Sequence, residues 1–497
     1  MAVSLLPLVL SGVLAWYVGY ILNQITNRNP KRPPIVFHWV PFLGSAASYG
    51  IDPYAFFHEC RQKYGDVFTF VCMGRKITAY LGVRGNDFLF NGKLADLSAE
   101  EAYSHLTTPV FGKDVVYDVP NHVLMEHKKF IKSGLGFSQF RSYVPLILGE
   151  MDAFLNASPD FGPGKEGVAD LLKSMPVMTI YTASRTLQGA EVRKGFDAGF
   201  ADLYHDLDQG FSPINFVFPW LPLPRNRRRD RAHKIMQQTY LNIIKQRRSS
   251  TENPGTDMIW TLMNSKYRDG HPLKEHEIAN MMIALLMAGQ HTSAATIMWA
   301  LTLLGSKPEV IEMLYEEQKR VLGEGENFHV DFDKYKDLPL LNYVIRETLR
   351  LHPPIHSIMR KVKRDLPVPD SKVVIPAGTH LLAAPGYSAT HEDFFSRAKE
   401  FCPERWGERP DDEENAEQID YGYGLVTKGA SSPYLPFGAG RHRCIGEQFA
   451  TMHLSTLISK FVHDYTWTTV LKVPEVDYSS MVALPLAPVK IAWKRRD

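Results

Sequence analysis

Helical spacing of apolar positions dominates this chain. In 52–64, 121–133, 231–247 and 308–321, apolar residues recur every three to four positions and charged residues fill the opposite face, which predicts amphipathic helices. Strand-like runs are short: 67–73, 77–82, 373–375 and 380–383. The mixture predicts a mainly α fold with small β-sheets. One stretch departs from the amphipathic pattern. Residues 278–306 contain no Asp, Glu, Lys or Arg. Their length would suit a membrane span, yet Gln290, His291, Thr292 and Ser293 cluster at the centre beside Gly289. Polar groups at that depth are costly in lipid unless they serve a site. The pattern therefore predicts a long helix buried in the protein core.

The N-terminus reads differently. Residues 1–26 hold no charged side chain, and 3–22 are mostly apolar. A helix of that length spans roughly 30 Å, the thickness of a bilayer core. Trp16, Tyr17 and Tyr20 lie near one end, where an interfacial belt would sit, and Arg28, Lys31 and Arg32 follow. A cleaved signal peptide needs a basic n-region and a shorter apolar core, so 1–26 is expected to be a membrane anchor. The basic flank puts the remainder on the cytosolic side. There Asn156-Ala157-Ser158, a glycosylation acceptor by pattern, stays bare. Pro30, Pro33, Pro34 and Pro41 make 27–44 a stiff linker. Residues 45–497 read as one catalytic domain.

Composition adds exclusions. Net charge is +2, so no bulk field argues for nucleic acid. The four cysteines, Cys60, Cys72, Cys402 and Cys444, form no CxxC pair, which argues against structural zinc or a disulfide framework. Residues 211–224 are uncharged, contain four prolines, and run into Arg225, Arg227, Arg228, Arg229, Arg231 and Lys234. Two readings stand: a loop packed on the core, or an apolar loop dipping into lipid beside a basic collar for anionic headgroups. No aromatic stacking platform accompanies these arginines, so they do not point to nucleic acid.

The densest chemical signal is Phe437-Gly438-Ala439-Gly440-Arg441-His442-Arg443-Cys444-Ile445-Gly446. The glycines allow a tight loop that approaches a flat ligand closely. A helix is expected from 445 to 462, which puts Cys444 at its N-terminus, where the dipole with Arg441 and Arg443 favours a thiolate. This run resembles the haem-binding loop of the cytochrome P450 family. The resemblance implies haem b, with Cys444 as the proximal iron ligand. Members commonly carry arginine where this chain has His442.

Two further motifs support the resemblance. Glu347-Thr348-Leu349-Arg350 puts Glu347 and Arg350 on one helix face. Phe401-Cys402-Pro403-Glu404-Arg405-Trp406 resembles the segment that completes the family's Glu-Arg-Arg network, which makes Glu347, Arg350 and Arg405 structural. Ala288-Gly289-Gln290-His291-Thr292-Ser293 resembles the helix over the distal haem face. Thr292 can bond back to a preceding carbonyl and open a pocket for O2 and protons. His291 stands where most members have an acid, and a relay role suits a group that titrates near neutrality.

The same hexapeptide is similar to the sterol 14α-demethylase branch of the family, as is Tyr103-Ser104-His105-Leu106-Thr107-Thr108-Pro109-Val110-Phe111-Gly112. The stretch from Asp420-Tyr421-Gly422-Tyr423-Gly424 to Ser432-Pro433-Tyr434 resembles an insert of fungal members. Position by position, the resemblance implies that Tyr103, Tyr117, Lys128, Arg360 and His442 hold the haem propionates. It implies that Leu106, Thr107, Phe111, Ser357 and Met481 line the substrate pocket. From residue character alone, Tyr103, Phe111, Tyr117, Phe216, Phe218, Ile355, Ile358, Met359 and Met481 suit an apolar cavity.

The reaction implied is oxidative removal of a sterol 14α-methyl group as formate, in ergosterol biosynthesis at the endoplasmic reticulum membrane. No flavin or nicotinamide fingerprint follows a strand and no iron–sulfur spacing occurs. A separate NADPH–cytochrome P450 reductase is therefore the expected electron donor, and azoles the expected inhibitors. Two other readings remain: oxidation of another lipophile such as a fatty acid, and a haem or sterol sensor without chemistry.

Overall fold

A computed structural model of the chain describes residues 5–26, 29–195, 198–250, 257–407 and 429–496. Arg28 and the 420–424 part of the insert lie outside these. The fold is mainly helical with small sheets, and the helices sit where apolar spacing puts them. The helix expected from 231 instead begins at Pro224 and runs to Ser249. Proline at a first helical position has no orphan N–H to satisfy and presets φ, so the proline that reads as loop starts the helix.

The long apolar stretch is one helix, Glu275–Gly305, and it runs through the core with most of its length buried. The Glu277 side chain accepts the Lys274 N–H at 2.8 Å, which satisfies one of the orphan donors at its start. Helices Leu171–Ala183, Pro224–Ser249 and Glu447–Asp464 pack around it. The N-terminal apolar helix, Leu5–Thr26, is unlike it: the window Val9–Thr26 is not buried at all. An apolar helix exposed on every side suits lipid, not water.

A five-stranded mixed sheet lies to one side. In spatial order its strands are Val67–Cys72, Arg75–Tyr80, His380–Ala383, Ile358–Val362 and Leu97–Ser98. Arg360 pairs with Leu381, which fixes its register. The proline-rich segment lies along the outer strand: Val36 N–H donates to Thr69 C=O and Thr69 N–H donates to Pro34 C=O, both at 2.8 Å. His38 of that segment is buried and pairs with Gln24 of the N-terminal helix through both backbone groups.

The deepest polar feature is the Glu347 carboxylate, which is fully buried. It accepts from Arg350 Nε and Nη2 at 2.9 and 2.8 Å, from Arg405 Nε and the Cys402 N–H at 3.0 Å, and from Trp406 Nε1 at 3.0 Å. Arg350 spends its other donors on the carbonyls of Ala389, Ala398 and Glu400. A buried ion pair is tolerated only when its hydrogen bonding is this complete. Trp406 then packs on Tyr434, ring centroids 4.7 Å apart, just before the cysteine loop.

Three deeply buried histidines are neutral in the folded chain. His352 stacks on Trp299 with centroids 3.5 Å apart, His356 pairs with Ser357 at 2.7 Å, and His453 pairs with Thr182 at 2.8 Å. Burial lowers them from 6.5 to about 3, about 4 and about 4 respectively. In the unfolded chain they take up protons near their ordinary value, so stability is whole above that value and declines as pH falls toward 4. The limiting slope is about 1.4 kcal/mol per pH unit for each histidine. Denaturant midpoints at pH 7 and pH 5 should differ, with the lower midpoint at pH 5; equal midpoints would contradict these assignments.

Candidate active site

The cysteine loop is built by its glycines. Gly438 and Gly440 have φ of +68° and +63°, a left-handed region that costs other residues energy. A Cβ on Gly440 would sit 2.5 Å from the Phe90 carbonyl oxygen. The loop closes through Cys444 N–H donating to Phe437 C=O at 2.9 Å. Helix Glu447–Asp464 begins three residues after the cysteine, slightly later than the sequence pattern suggests.

Cys444 has accessible surface, whereas Cys60 and Cys402 are buried and Cys72 half-buried. Yet burial by the surrounding protein pushes the Cys444 thiol up, and the accessible face therefore opens inward. The Gly446 N–H, Lys128 and Arg443 oppose that shift without cancelling it, while Glu447 adds to it. The thiolate expected from the dipole and nearby arginines is thus not favoured by the chain alone. Arg443 is engaged with Glu447 at 2.8 Å, and Arg441 reaches the Gly92 carbonyl at 3.3 Å. A bound cation is needed to drive off the proton, as with metal–thiolate sites generally.

The central helix presents the matching surface. Leu285, Ala288, Gly289 and Thr292 keep accessible surface in the middle of a helix that is otherwise largely closed. Their spacing is one helical stripe. Accessible surface on this stripe and at Cys444 marks a hollow inside the protein. Thr292 Oγ1 donates to the Ala288 carbonyl at 2.8 Å, the back-bond expected from sequence. A Cβ on Gly289 would meet Leu187 Cδ1 at 3.2 Å, so close helix packing is one reason for that glycine.

His291 lies off the stripe, with Nε2 3.1 Å from Asp208 Oδ1 and its ring 5.1 Å from that of Tyr204. Nothing in local sequence spacing points to Asp208, because the two helices meet only in the fold. Gln290 is buried and donates to the Pro176 carbonyl at 3.3 Å, with its Oε1 unpartnered.

A cluster of basic and phenolic groups occupies one edge. Met359 N–H donates to Tyr103 Oη at 2.8 Å, and the Tyr103 and Tyr117 rings stack with centroids 5.4 Å apart. Tyr117 is 6.3 Å from the His442 ring. Lys128 donates to the Arg441 and Arg443 carbonyls at 3.0 and 2.7 Å. Arg360 is 5% exposed and donates to the Met359 carbonyl at 2.7 Å. Among the described residues, neither Lys128 nor Arg360 has a carboxylate within ion-pair distance.

Burial lowers Lys128, while burial and the Arg360 charge hold His442 down at about 4. By itself the chain thus holds His442 toward its neutral form. Burying cations without counter-charge costs several kcal/mol. A planar group bearing carboxylates at this edge and a soft metal at the thiol would answer both features, and haem is such a group.

The residues expected to touch substrate fall into two sets. Leu106 and Thr107 are buried on helix Glu100–Phe111, and Thr107 Oγ1 donates to the Tyr103 carbonyl at 3.1 Å. Phe111 ends that helix and packs on Phe211, centroids 5.6 Å apart. Ser357 is occupied by His356, and Met481 is 42% exposed. Phe218 stacks on Phe42 at 6.2 Å and Trp220 is 74% exposed. The 211–224 segment therefore both packs and projects: Asn215 is buried in a reciprocal pair with Asn226, while the largely exposed Trp220 touches the Phe218 ring edge-on.

The Cytochrome P450 family model matches residues 33–494. The chain is 83% identical, over the whole of both chains, to lanosterol 14-alpha demethylase of Schizosaccharomyces pombe. It is 52% identical to a sterol 14-alpha demethylase of Aspergillus flavus, over 98% of this chain and 96% of that one. It is 50% identical to eburicol 14-alpha-demethylase of Uncinula necator, over 96% and 93%. In structure it resembles a retinoic acid-bound cyanobacterial CYP120A1, with a TM-score of 0.78 over 94% of this chain and 100% of that one, at 19% identity.

Substituting Gly440 by Ala should destabilise the fold by about 2 kcal/mol or more, since strain and a backbone clash coincide. Gly149→Ala, in a helix with open space around it, should be neutral or stabilising. Thermal midpoints of the two variants check the contrast.

Proposed function

The chain belongs to the cytochrome P450 family, and from that premise we propose that it is a sterol 14α-demethylase using haem b held by Cys444. The observation that carries this reading is the full-length 83% identity to a lanosterol 14-alpha demethylase. The enzyme is a monooxygenase. When bound, the haem iron supplies the oxygen chemistry; the protein supplies ligand, orientation and protons.

In this reading Lys128 and Arg360 neutralise the haem propionates, with Tyr103, Tyr117 and His442 as hydrogen-bond partners. That pairing relieves the burial cost of the two cations. Leu106, Thr107, Phe111, Ser357 and Met481 hold a rigid apolar substrate whose 14α-methyl group faces Thr292. Oxidation of that methyl ends in C–C cleavage and release of formate. His291, beside Asp208, brings protons from the Asp208 side of the helix to Thr292 Oγ1.

Electrons come from an NADPH–cytochrome P450 reductase that docks near the Cys444 face. The N-terminal helix anchors the chain in the endoplasmic reticulum membrane with the catalytic body cytosolic. Trp220 and the apolar segment around it enter lipid, with the adjoining arginines at the headgroups.

Reconstitution of the full chain with reductase and a 14α-methyl sterol should give the demethylated sterol and formate, and omission of the reductase should give neither. Turnover of fatty acids alone would overturn the sterol assignment. Cys444→Ser should abolish the thiolate-ligated absorption band of the reduced carbon monoxide complex; an unchanged band would exclude Cys444 as the ligand. His291→Ala should lower kcat by about 100-fold or more with little change in sterol affinity, as for loss of a proton-transfer group.

A further inference from the structure

Outside the haem-side hollow, a second cleft of about 650 Å3 opens on the surface. It lies between the turn after helix Glu100–Phe111, the Pro224–Ser249 helix and the start of the central helix. Its charged lining is Lys113, Asp114, Asp230, His233, Lys234 and His276.

The turn that forms one wall is held from below. Gly112 has φ of +94°, and a Cβ there would collide with the Asn280 amide at 2.4 Å. Asn280, 1% exposed, donates to the Lys113 carbonyl at 2.9 Å and accepts from Gln237 Nε2 at 2.8 Å. Asp114 and Val116 also have positive φ, +63° and +53°. Three left-handed residues so close together, one of them β-branched, persist only when their surroundings over-determine them. The Asp118 carboxylate contributes, accepting from Thr108 Oγ1 and the Asp114 N–H, each at 2.9 Å. The backbone is thus held in a costly shape that puts Lys113 at the cleft.

The lining's two carboxylates already have partners. Asp114 is paired with His276 at 2.9 Å, and Asp230 is paired with Arg229 at 2.7 Å. Both carboxylates of the lining are therefore engaged. Lys113 and Lys234 face the cleft from opposite walls, and among the described residues neither has a carboxylate partner. His233, next to Lys234 on the same helix, is pushed down by burial, while hydrogen bonds to the Phe111 backbone and the Asn280 side chain oppose that shift. The two lysine ammonium groups are thus the unspent donors of the lining.

We propose that this cleft binds an oxyanion, carboxylate or phosphate in class, bridged between Lys113 and Lys234. Such an anion ties the Gly112–Asp114 turn to the Pro224–Ser249 helix. Two sources share this chemistry. One is a soluble anion; the other is the phosphate of a phospholipid headgroup. The proposal does not depend on sterol turnover, and its test uses none.

The full-length haem protein in neutral detergent is titrated with inorganic phosphate, with formate, and with short-chain phosphatidic acid and phosphatidylcholine. Binding of the phosphorus compounds is followed by 31P line broadening and that of formate by 13C. At least one anion should bind saturably. Its affinity should fall by about tenfold in Lys113→Met/Lys234→Met, two partly exposed charge contacts being removed. It should be unaffected by Lys173→Met, an exposed lysine on a distant helix. An unaltered haem spectrum in each variant shows that the fold is intact. Preference for phosphatidic acid over inorganic phosphate assigns the headgroup source, and equal or better binding of the soluble ions assigns the soluble one. Non-saturable binding of every anion, or equal binding by the double-lysine variant, overturns the proposal.

Discussion

A carboxylate with no access to water is tolerated only when its lone pairs are answered, and Glu347 meets that requirement with partners from two segments of the chain. Its partners come from its own helix, through Arg350, and from the segment 402–406, through a backbone N–H, an arginine and an indole. The consequence is mechanical. The segment before the cysteine loop is fixed to the helix Pro339–Leu351, and Trp406 passes that fixation to Tyr434 by ring packing. Removing one partner of such a network leaves a charge stranded in low dielectric, a cost of about 3–5 kcal/mol. The loop carrying Cys444 therefore begins from a rigid base rather than from the mobile end of a surface strand.

Above that base, the site depends on two kinds of unfinished business. The thiol of Cys444 is kept from ionising by the protein around it, and the cations at Lys128 and Arg360 are held without counter-ions. Each alone is unfavourable, and together they match one prosthetic group of the family. The central helix supplies the facing wall by the same economy: almost all of it is sealed, and one stripe through Ala288 and Thr292 is left open.

Much of this was legible in the sequence. The apolar run at 278–306 with polar residues at its centre gave the buried helix, and the glycines around Cys444 gave a loop whose left-handed residues the structure contains. Other features were not readable because they are products of tertiary contact. Asp208 meets His291 only after two helices pack, and Asn280 meets Gly112 in the same way. The burial that raises the Cys444 thiol in the chain alone is likewise a tertiary effect: Arg443 is engaged by Glu447, and desolvation outweighs the favourable groups. The start of the helix at Pro224 shows that a proline-rich run can end in the first turn of a helix instead of a longer loop.

The stranded positive charge at Arg360 also bears on how the molecule comes to exist. A chain that buries a guanidinium before its counter-charge arrives is poorly stable until then, since whatever binds only the native state adds its binding free energy to folding. In the proposed haem reading, the cofactor would couple to folding as well as to chemistry, so that loading would raise the chain's resistance to proteolysis.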